Sequence, residues 1–282
     1  MRRTFFARVD LPFHGEKAFD DFMLGVSKYT HEHDSISGTQ LAIKKLLSKA
    51  QDCYFHGHYL DGLQYYAQVL YADRKEISAW VGQIRILIDT GHYDGAIYWA
   101  DKGCQLLDDA RLISSAKAFA LAYAGDVDDA KAIINVPVEK EEDAMLWLMR
   151  GEVLLKVRIN LVQKLFTPYK GIGKLGAFFC FIKALSVDQQ DPFINQRIGL
   201  AYLLAGDHRR AIEHLQTSLH SVRDNPLTLY GLAECHRRKR EYEQSLKYVK
   251  KAIAGNPKLD SAFELLQWLH KPGRNFRQLL SC

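Results

Sequence analysis

One glycine-rich run has the residue types that could cradle a phosphate group. Gly171 and Gly173 flank a single residue and are followed by Lys174. A phosphate-binding loop needs four residues between its glycines and a Ser or Thr after the lysine, whereas Leu175 follows here. Nucleotide binding at this run is therefore not expected.

Histidine, carboxylate and cysteine side chains are the candidates for metal or nucleophilic chemistry. The run His31–Asp34 offers four ligand-type residues, but adjacent residues on a helix end rarely converge on one ion. His56 and His58 flank a predicted turn and are interpreted as polar turn residues. The five cysteines are widely spaced without a Cys-x-x-Cys pair, which argues against a zinc site or a disulfide framework. We expect no enzyme activity, no metal and no cofactor.

The composition is that of a folded soluble chain. Hydrophobic residues make up 48% and charged residues 25%, which excludes wholly disordered and collagen-like classes. Arg8 and Asp10 interrupt the apolar core that a secretory signal needs. Apolar runs such as Ala177–Ile182 are far shorter than the roughly 20 residues that span a bilayer. We therefore expect a cytoplasmic protein without a transmembrane segment.

A period of 34 residues runs through most of the chain. Gly57, Gly91 and Gly125 are 34 residues apart, and so are Gly206 and Arg240. The interval from Gly125 to Gly206 is longer than two of these periods and shorter than three. One repeat that carries an insertion therefore lies between them.

Small residues stand five positions after these anchors. They are Gly62, Ala96, Ala130, Ala211 and Ser245. Small side chains let two helices approach closely, and the apolar residues at offsets of 4 and 7 share one helical face. Glycine at the anchor suits the point where a first helix ends. Each period therefore predicts a helix, a turn and a second helix.

This pattern resembles the tetratricopeptide repeat, a 34-residue helix–turn–helix unit. The runs that begin at Gly91 and Gly206 match the turn and second helix of that family, and Asn256-Pro257 matches its repeat end. The resemblance implies an all-α solenoid, a right-handed superhelix with an N-terminal helical cap and a C-terminal capping helix. Pro137 falls late in a second helix, so an irregular end is expected for the third repeat.

We predict three parts of the chain. Residues 1–42 form an N-terminal arm and a capping helix over Glu16–His33, residues 43–270 form the array, and residues 271–282 form a tail. The array ends in a capping helix over Asp260–His270 with Phe263, Leu266 and Leu269 on its apolar face. The six repeats are predicted at 43–76, 77–110, 111–144, 145–191, 192–225 and 226–259.

The insertion of the fourth repeat, residues 157–173, allows two interpretations. It contains Leu161, Leu165, Phe166 and Tyr169, and an apolar excursion at a surface needs cover. It is therefore either a docking or oligomerisation element or an elongated helix with a glycine-rich return loop.

The family resemblance places partner-binding residues on the first helices, which line the concave face of such solenoids. Aromatic side chains and both signs of charge on this face suit an extended peptide or a helix. The candidates are Phe55, Arg85, Phe119, Tyr123, Glu152, Arg197, Tyr230, Glu234, Arg237 and Arg238, with Gln51, Asp89, Lys156, Gln196 and Leu204 beside them.

Charge is uneven along the chain and is basic at its end. Residues 1–150 have a net charge of −5 and residues 151–282 a net charge of +10. The basic positions considered are His236–Arg240, Arg209, Arg210, Lys247, Lys250 and Lys251. Stacked repeats would join them in one patch for an acidic protein segment, or less favourably a nucleic acid. A solvated helix end that complements the helix dipole is the alternative.

The resulting prediction is a non-enzymatic protein–protein interaction scaffold or adaptor, with an assembly factor as one form of that role. It would hold a partner peptide or helix of acidic character in a concave groove. Two alternatives stay open: an adaptor for nucleic acid or another polyanion through the basic half, and a secretion-type or subunit-holding chaperone. A homo-oligomer also stays open.

Overall fold

The computed structural model describes residues 16–25, 40–134, 143–165 and 176–271, with 157–165 described as helical backbone. These ranges contain fourteen α-helices and no strand. The all-α prediction is therefore confirmed for the described chain. The helices fall into two compact units, and we describe each unit by itself.

The first unit covers the described residues from 16 to 54 and from 58 to 187. Its helices are α1 Glu16–Met23, α2 Gln40–Phe55, α3 Tyr59–Ala72, α4 Ile77–Asp89, α5 Tyr93–Leu106, α6 Arg111–Ala124, α7 Val127–Ile134, α8 Ala144–Leu165 and α9 Gly176–Val187. From α3 onward neighbouring helices pack in sequence, and α6 also packs on α4 and α8, so that the first helices of successive repeats touch.

The second unit covers residues 188–271 together with residues 55–57, the end of α2 and its turn. Its helices are α10 Pro192–Ala205, α11 His208–Ser221, α12 Pro226–Arg238, α13 Tyr242–Gly255 and α14 Asp260–His270. The pairs α10–α11 and α12–α13 pack closely. Asp191 and Asn225, one period apart, cap α10 and α12 by accepting from the amides of Ile194 and Thr228 at 2.7 and 3.0 Å.

The predicted anchors lie at the turns between paired helices. Gly206 has φ +84° and ends α10, as a left-handed residue at a helix C-terminus does. Arg240 stands at the equivalent position after α12 and has φ +64°, which side chains with a Cβ adopt at a cost. The turn geometry therefore follows the repeat even where glycine is absent.

Small residues at the helix crossings are buried, as their spacing predicts. Ala96 and Ala211 have no exposed surface. At Gly199 of α10, an added Cβ would lie 2.6 Å from Cγ of Leu215 in α11. This distance leaves no room for a larger side chain, so the close approach of α10 and α11 requires glycine there.

Two expectations about helices differ from the structure. The N-terminal helix ends at Met23 instead of His33, because Gly25 adopts φ +70° and leaves the helical path; residues 26–39 lie outside the described chain. On α14 the buried face comprises Ala262, Leu265 and Leu269, while Phe263 is 37% exposed. That face turns one position from the predicted stripe, because Ala262 contributes to the contact as a small residue.

Candidate functional site

Three predicted binding residues of the first unit form one buried cluster. Arg85 of α4 donates from its terminal Nη2 to Oε2 of Glu152 in α8 at 2.5 Å. The guanidinium also lies 4.5 Å from the ring centroid of Phe119 in α6. Arg85, Phe119 and Glu152 are 2%, 0% and 7% exposed, so this cluster ties three first helices together from within.

Tyr123 and Lys156 continue this cluster toward solvent. The Tyr123 ring meets the Phe119 ring edge-on at 4.8 Å, and the Lys156 ammonium lies 4.2 Å from the Tyr123 centroid. Tyr93, at the start of α5, lies 5.8 Å from Tyr123. All three of these outer side chains are half-buried. We call Tyr93, Tyr123 and Lys156 the Tyr123 edge.

Asp89 is a structural residue of the same unit. It is 2% exposed, and its Oδ2 accepts a 2.7 Å hydrogen bond from the hydroxyl of Tyr54. A buried carboxylate that is already satisfied by a partner helix presents little to a ligand.

In the second unit, Glu234 forms ion pairs with two arginines of its own helix, Arg237 and Arg238. Arg237 donates to both carboxylate oxygens at 2.5 and 2.6 Å, and Arg238 donates to Oε1 at 3.1 Å. The Arg237 guanidinium also lies 4.7 Å from the ring centroid of Trp268 in α14. Although burial by itself raises the pKa of Glu234, the hydrogen bond and charge of Arg237, and then those of Arg238, hold that pKa below its ordinary value.

The remaining first-helix candidates are mostly core residues. Tyr230, Arg197 and Gln196 are 7%, 3% and 1% exposed. Phe55 is 5% exposed, and its ring lies 6.5 Å from that of Phe193 within the second unit. Their roles in partner binding stay predictions. The 34-residue register selects positions on a helix face, and that face includes side chains that neighbouring helices cover.

The basic positions of the second unit are largely paired within the chain. Arg210 pairs with Asp207, Arg209 with Glu213, Arg237 and Arg238 with Glu234, and Lys239 with Glu241. These carboxylates offset much of the predicted patch. Among the described residues, Arg240, Lys247, Lys250 and Lys251 are exposed cations outside these pairs.

The insertion of the fourth repeat is partly helical. Helix α8 continues to Leu165, which agrees with the elongated-helix interpretation for residues 157–165. The side chains of Leu161 and Leu165, and residues Phe166 and Tyr169 altogether, lie outside the described chain. The docking role of this insertion therefore stays a prediction.

The described ranges offer neither a metal site nor a membrane-spanning helix. No group of three or more His, Cys, Asp or Glu side chains there could hold a metal ion, and the run His31–Asp34 lies outside them. In the same ranges, no helix has the length and apolar character for crossing a bilayer. His56 and His58 are both exposed. Burial raises the pKa of the Cys180 thiol to about 11, so this thiol is not activated as a nucleophile.

Comparison with known proteins identifies the family of the repeats. The profile of the tetratricopeptide repeat matches residues 197–260, which run from within α10 through α13 to the first residue of α14. Together with the all-helical architecture of the described residues, this match confirms the predicted resemblance to the tetratricopeptide repeat over residues 197–260 and the predicted solenoid fold class. No curated protein matches the chain.

Two solved structures share the fold at low identity. A chain of the APC/C heterotetramer Cut9–Hcn1 is 16% identical with a TM-score of 0.52, and the match covers 84% of this chain and 47% of that one. A tetratricopeptide repeat protein from Parabacteroides merdae is 13% identical with a TM-score of 0.50, over 83% and 86% of the two chains. The present chain thus spans about half of the first of these proteins, and both comparisons concern the fold alone.

Proposed function

We propose that this protein is a non-enzymatic, cytoplasmic interaction scaffold that binds a segment of a partner protein at the Tyr123 edge. The observation that supports it most is the way Tyr93, Tyr123 and Lys156 are held. They are half-buried, the Tyr123 ring packs against the buried Phe119 ring, and the Lys156 ammonium lies over the Tyr123 ring. A side chain fixed in this way loses little further entropy when a partner binds.

The edge indicates the chemistry of the partner segment. Tyrosine rings provide apolar contact area with few rotatable bonds, and they are enriched at the energetic centres of interfaces. Lys156 adds a positive charge beside the Tyr123 ring. A peptide or helix with an apolar or aromatic side chain next to a carboxylate fits both features.

The paired charges of the second unit weaken the alternative of a polyanion adaptor. Phosphate binding gains affinity when free cations displace counterions from the nucleic acid. Arg209, Arg210, Arg237, Arg238 and Lys239 would first have to exchange their own carboxylate partners. A protein partner therefore has more support than a nucleic acid.

A site-specific cross-link tests the proposal. A photoreactive amino acid in place of Tyr123 should capture a partner from the native host, while the same group in place of Lys131 on α7 should not. Lys131 is a matched surface control because its side chain is 42% exposed on the second helix of the repeat.

The purified partner then provides the quantitative test. We expect the double variant Tyr123→Ala, Lys156→Ala to lose at least tenfold in affinity, because truncation at an interface centre costs about 2 kcal/mol or more. Leu106→Ala, at a residue that is 55% exposed on α5, should bind as the wild type does. Equal binding by the double variant and the wild type contradicts the proposal.

A further inference from the structure

Helix α1 lies on the second helices of the first two repeats, α3 and α5. Phe22 and Met23 at its end are fully buried, and α1 packs on α3. The Phe19 ring meets those of Tyr98 and Trp99 in α5 edge-on at 5.9 and 5.7 Å. The aromatic side of α1 therefore fills a seat formed by α3 and α5.

Hydrogen bonds also hold the end of α1 in this seat. Gln83 of α4 is fully buried and donates from Nε2 to the carbonyl oxygen of Met23 at 2.8 Å. Its Oε1 accepts from Nε1 of Trp99 at 2.8 Å, which orients the amide toward α1. A buried amide in this position requires a carbonyl partner at the end of the bound helix.

A charged contact fixes the direction of α1 along α5. Asp20 accepts hydrogen bonds from the hydroxyl of Tyr98 at 3.2 and 3.3 Å and from the ammonium of Lys102. The Lys102 ammonium also lies 5.1 Å from the Tyr98 centroid. The seat therefore binds one carboxylate, that of Asp20, next to its aromatic contacts.

Several features distinguish α1 from the repeats on which it lies. It has eight residues, and helices below about 12–15 residues are marginal on their own, so its helical form depends on the seat. It stands outside the 34-residue register. At Gly25, two residues after the end of α1, φ is +70° and an added Cβ would lie 2.6 Å from the carbonyl oxygen of Ala67.

From these contacts we propose that α1 is an intramolecular ligand of a helix-binding site, and that this site also takes a helix of the same chemistry from a partner protein. The pattern is an aromatic residue, a carboxylate, any residue, an aromatic residue and a large apolar residue, as in Phe19, Asp20, Phe22 and Met23. The surface differs from the Tyr123 edge, so the two proposals can fail separately.

A labelled peptide of residues 16–25 tests the site in the full-length chain by fluorescence anisotropy. In the wild type, α1 competes at an effective concentration of the order of millimolar, so the peptide should bind weakly. Phe22→Ala in the chain weakens the intramolecular ligand, and the peptide should then bind at least tenfold more tightly. A peptide with Phe19 and Phe22 changed to Ala is the matched control and should not bind.

A charge exchange tests the polar contact. Adding Lys102→Glu to the Phe22→Ala chain should lower the affinity for the peptide at least tenfold. A peptide that carries Asp20→Lys should recover that affinity, because its lysine can pair with the new glutamate. If circular dichroism shows that Phe22→Ala unfolds the first repeats, the chain variant Asp20→Lys replaces it in the test. That variant releases α1 without opening a cavity.

Two results would overturn the proposal. One is equal peptide affinity for the wild type, for the released variants and for the Lys102→Glu chain, which would make α1 a permanent part of the core. The other is a wild-type dimer in light scattering that the peptide dissociates, which would make a second copy of this chain the occupant.

Discussion

The two units place the same residue types on their first helices but connect them differently. In the first unit, Arg85 and Glu152 are 67 residues apart and join α4 to α8 in the interior, where their side chains are 3% and 7% exposed. In the second unit, Glu234 pairs with Arg237 and Arg238 within one turn of α12. Its own side chain is 6% exposed, whereas the side chains of Arg237 and Arg238 are 17% and 37% exposed.

The Arg85–Glu152 ion pair therefore connects two repeats, whereas the ion pairs of Glu234 lie within a single helix. A charge left alone in the interior has lost its hydration and its partner, whereas a charge near the surface regains water. An i,i+3 or i,i+4 pair forms whenever the helix forms, so it adds little to the packing of one repeat on the next. The first unit should therefore respond far more strongly to loss of its carboxylate.

The largest effect is expected for Glu152→Leu. It leaves the Arg85 charge buried and should lower the free energy of unfolding of the first unit by about 3–5 kcal/mol. Urea denaturation followed by tryptophan fluorescence reports mainly this unit, because Trp80, Trp99 and Trp147 lie in it and only Trp268 lies in the second unit.

The double variant Arg85→Met, Glu152→Leu is the control for that prediction. Removing both charges and filling the space with apolar groups should recover most of the stability, as replacement of a complete buried ion pair often does. A double variant as unstable as Glu152→Leu would mean that packing volume, and not the lone charge, causes the loss.

Overpacking a helix crossing should have an effect of intermediate size in both units. Ala96→Leu in the first unit and Ala211→Leu in the second should each cost about 1–3 kcal/mol, because both alanines are fully buried between paired helices. Thermal unfolding of each variant measures the loss. Ala254→Leu, at an exposed position of α13, should leave the midpoint unchanged.

The turn positions Gly206 and Arg240 provide a matched pair inside the second unit. Arg240→Gly should raise stability by about 0.5–1 kcal/mol, since glycine adopts positive φ without a Cβ clash. Gly206→Ala should lower it by about 1 kcal/mol, because space is open around that glycine and the backbone angle is the only cost. Chemical denaturation of both variants measures the difference, and a shift of the same sign in both would contradict this explanation.

The smallest effect is expected for Glu234→Gln. Loss of two local pairs should cost less than about 1 kcal/mol near neutral pH. The lowered pKa of Glu234 means that its ionised form stabilises the fold above the ordinary value of 4.5, and that this contribution disappears as the pH falls through the lowered pKa. Melting temperatures of wild type and variant should therefore converge below pH 4.5. A gap that stays constant from pH 7 to pH 3 would exclude the carboxylate as its cause.

Local and repeated features of the fold could be predicted from the spacing of residues. The turns at Gly91, Gly125 and Gly206 and the buried Ala96 and Ala211 follow from the 34-residue register, and the final helix Asp260–His270 follows from its amphipathic pattern. Each depends on backbone conformation or side-chain size within one repeat. The caps at Asp191-Pro192 and Asn225-Pro226 recur with the same period, and this signal marks the starts of α10 and α12.

Which candidate side chains pair with one another, and which stay accessible, depends on how the helices stack. The register places Arg85, Phe119, Tyr123, Glu152 and Lys156 on one face, but only the packing of α4, α6 and α8 decides that Arg85 and Glu152 become interior and that Tyr123 and Lys156 form an accessible edge. Ion pairing and burial depend on distances between repeats, which residue spacing along one helix does not contain. The seat of α1 on α3 and α5 has the same origin, because a helix outside the period can lie on any apolar surface that accepts its aromatic side chains and its carboxylate.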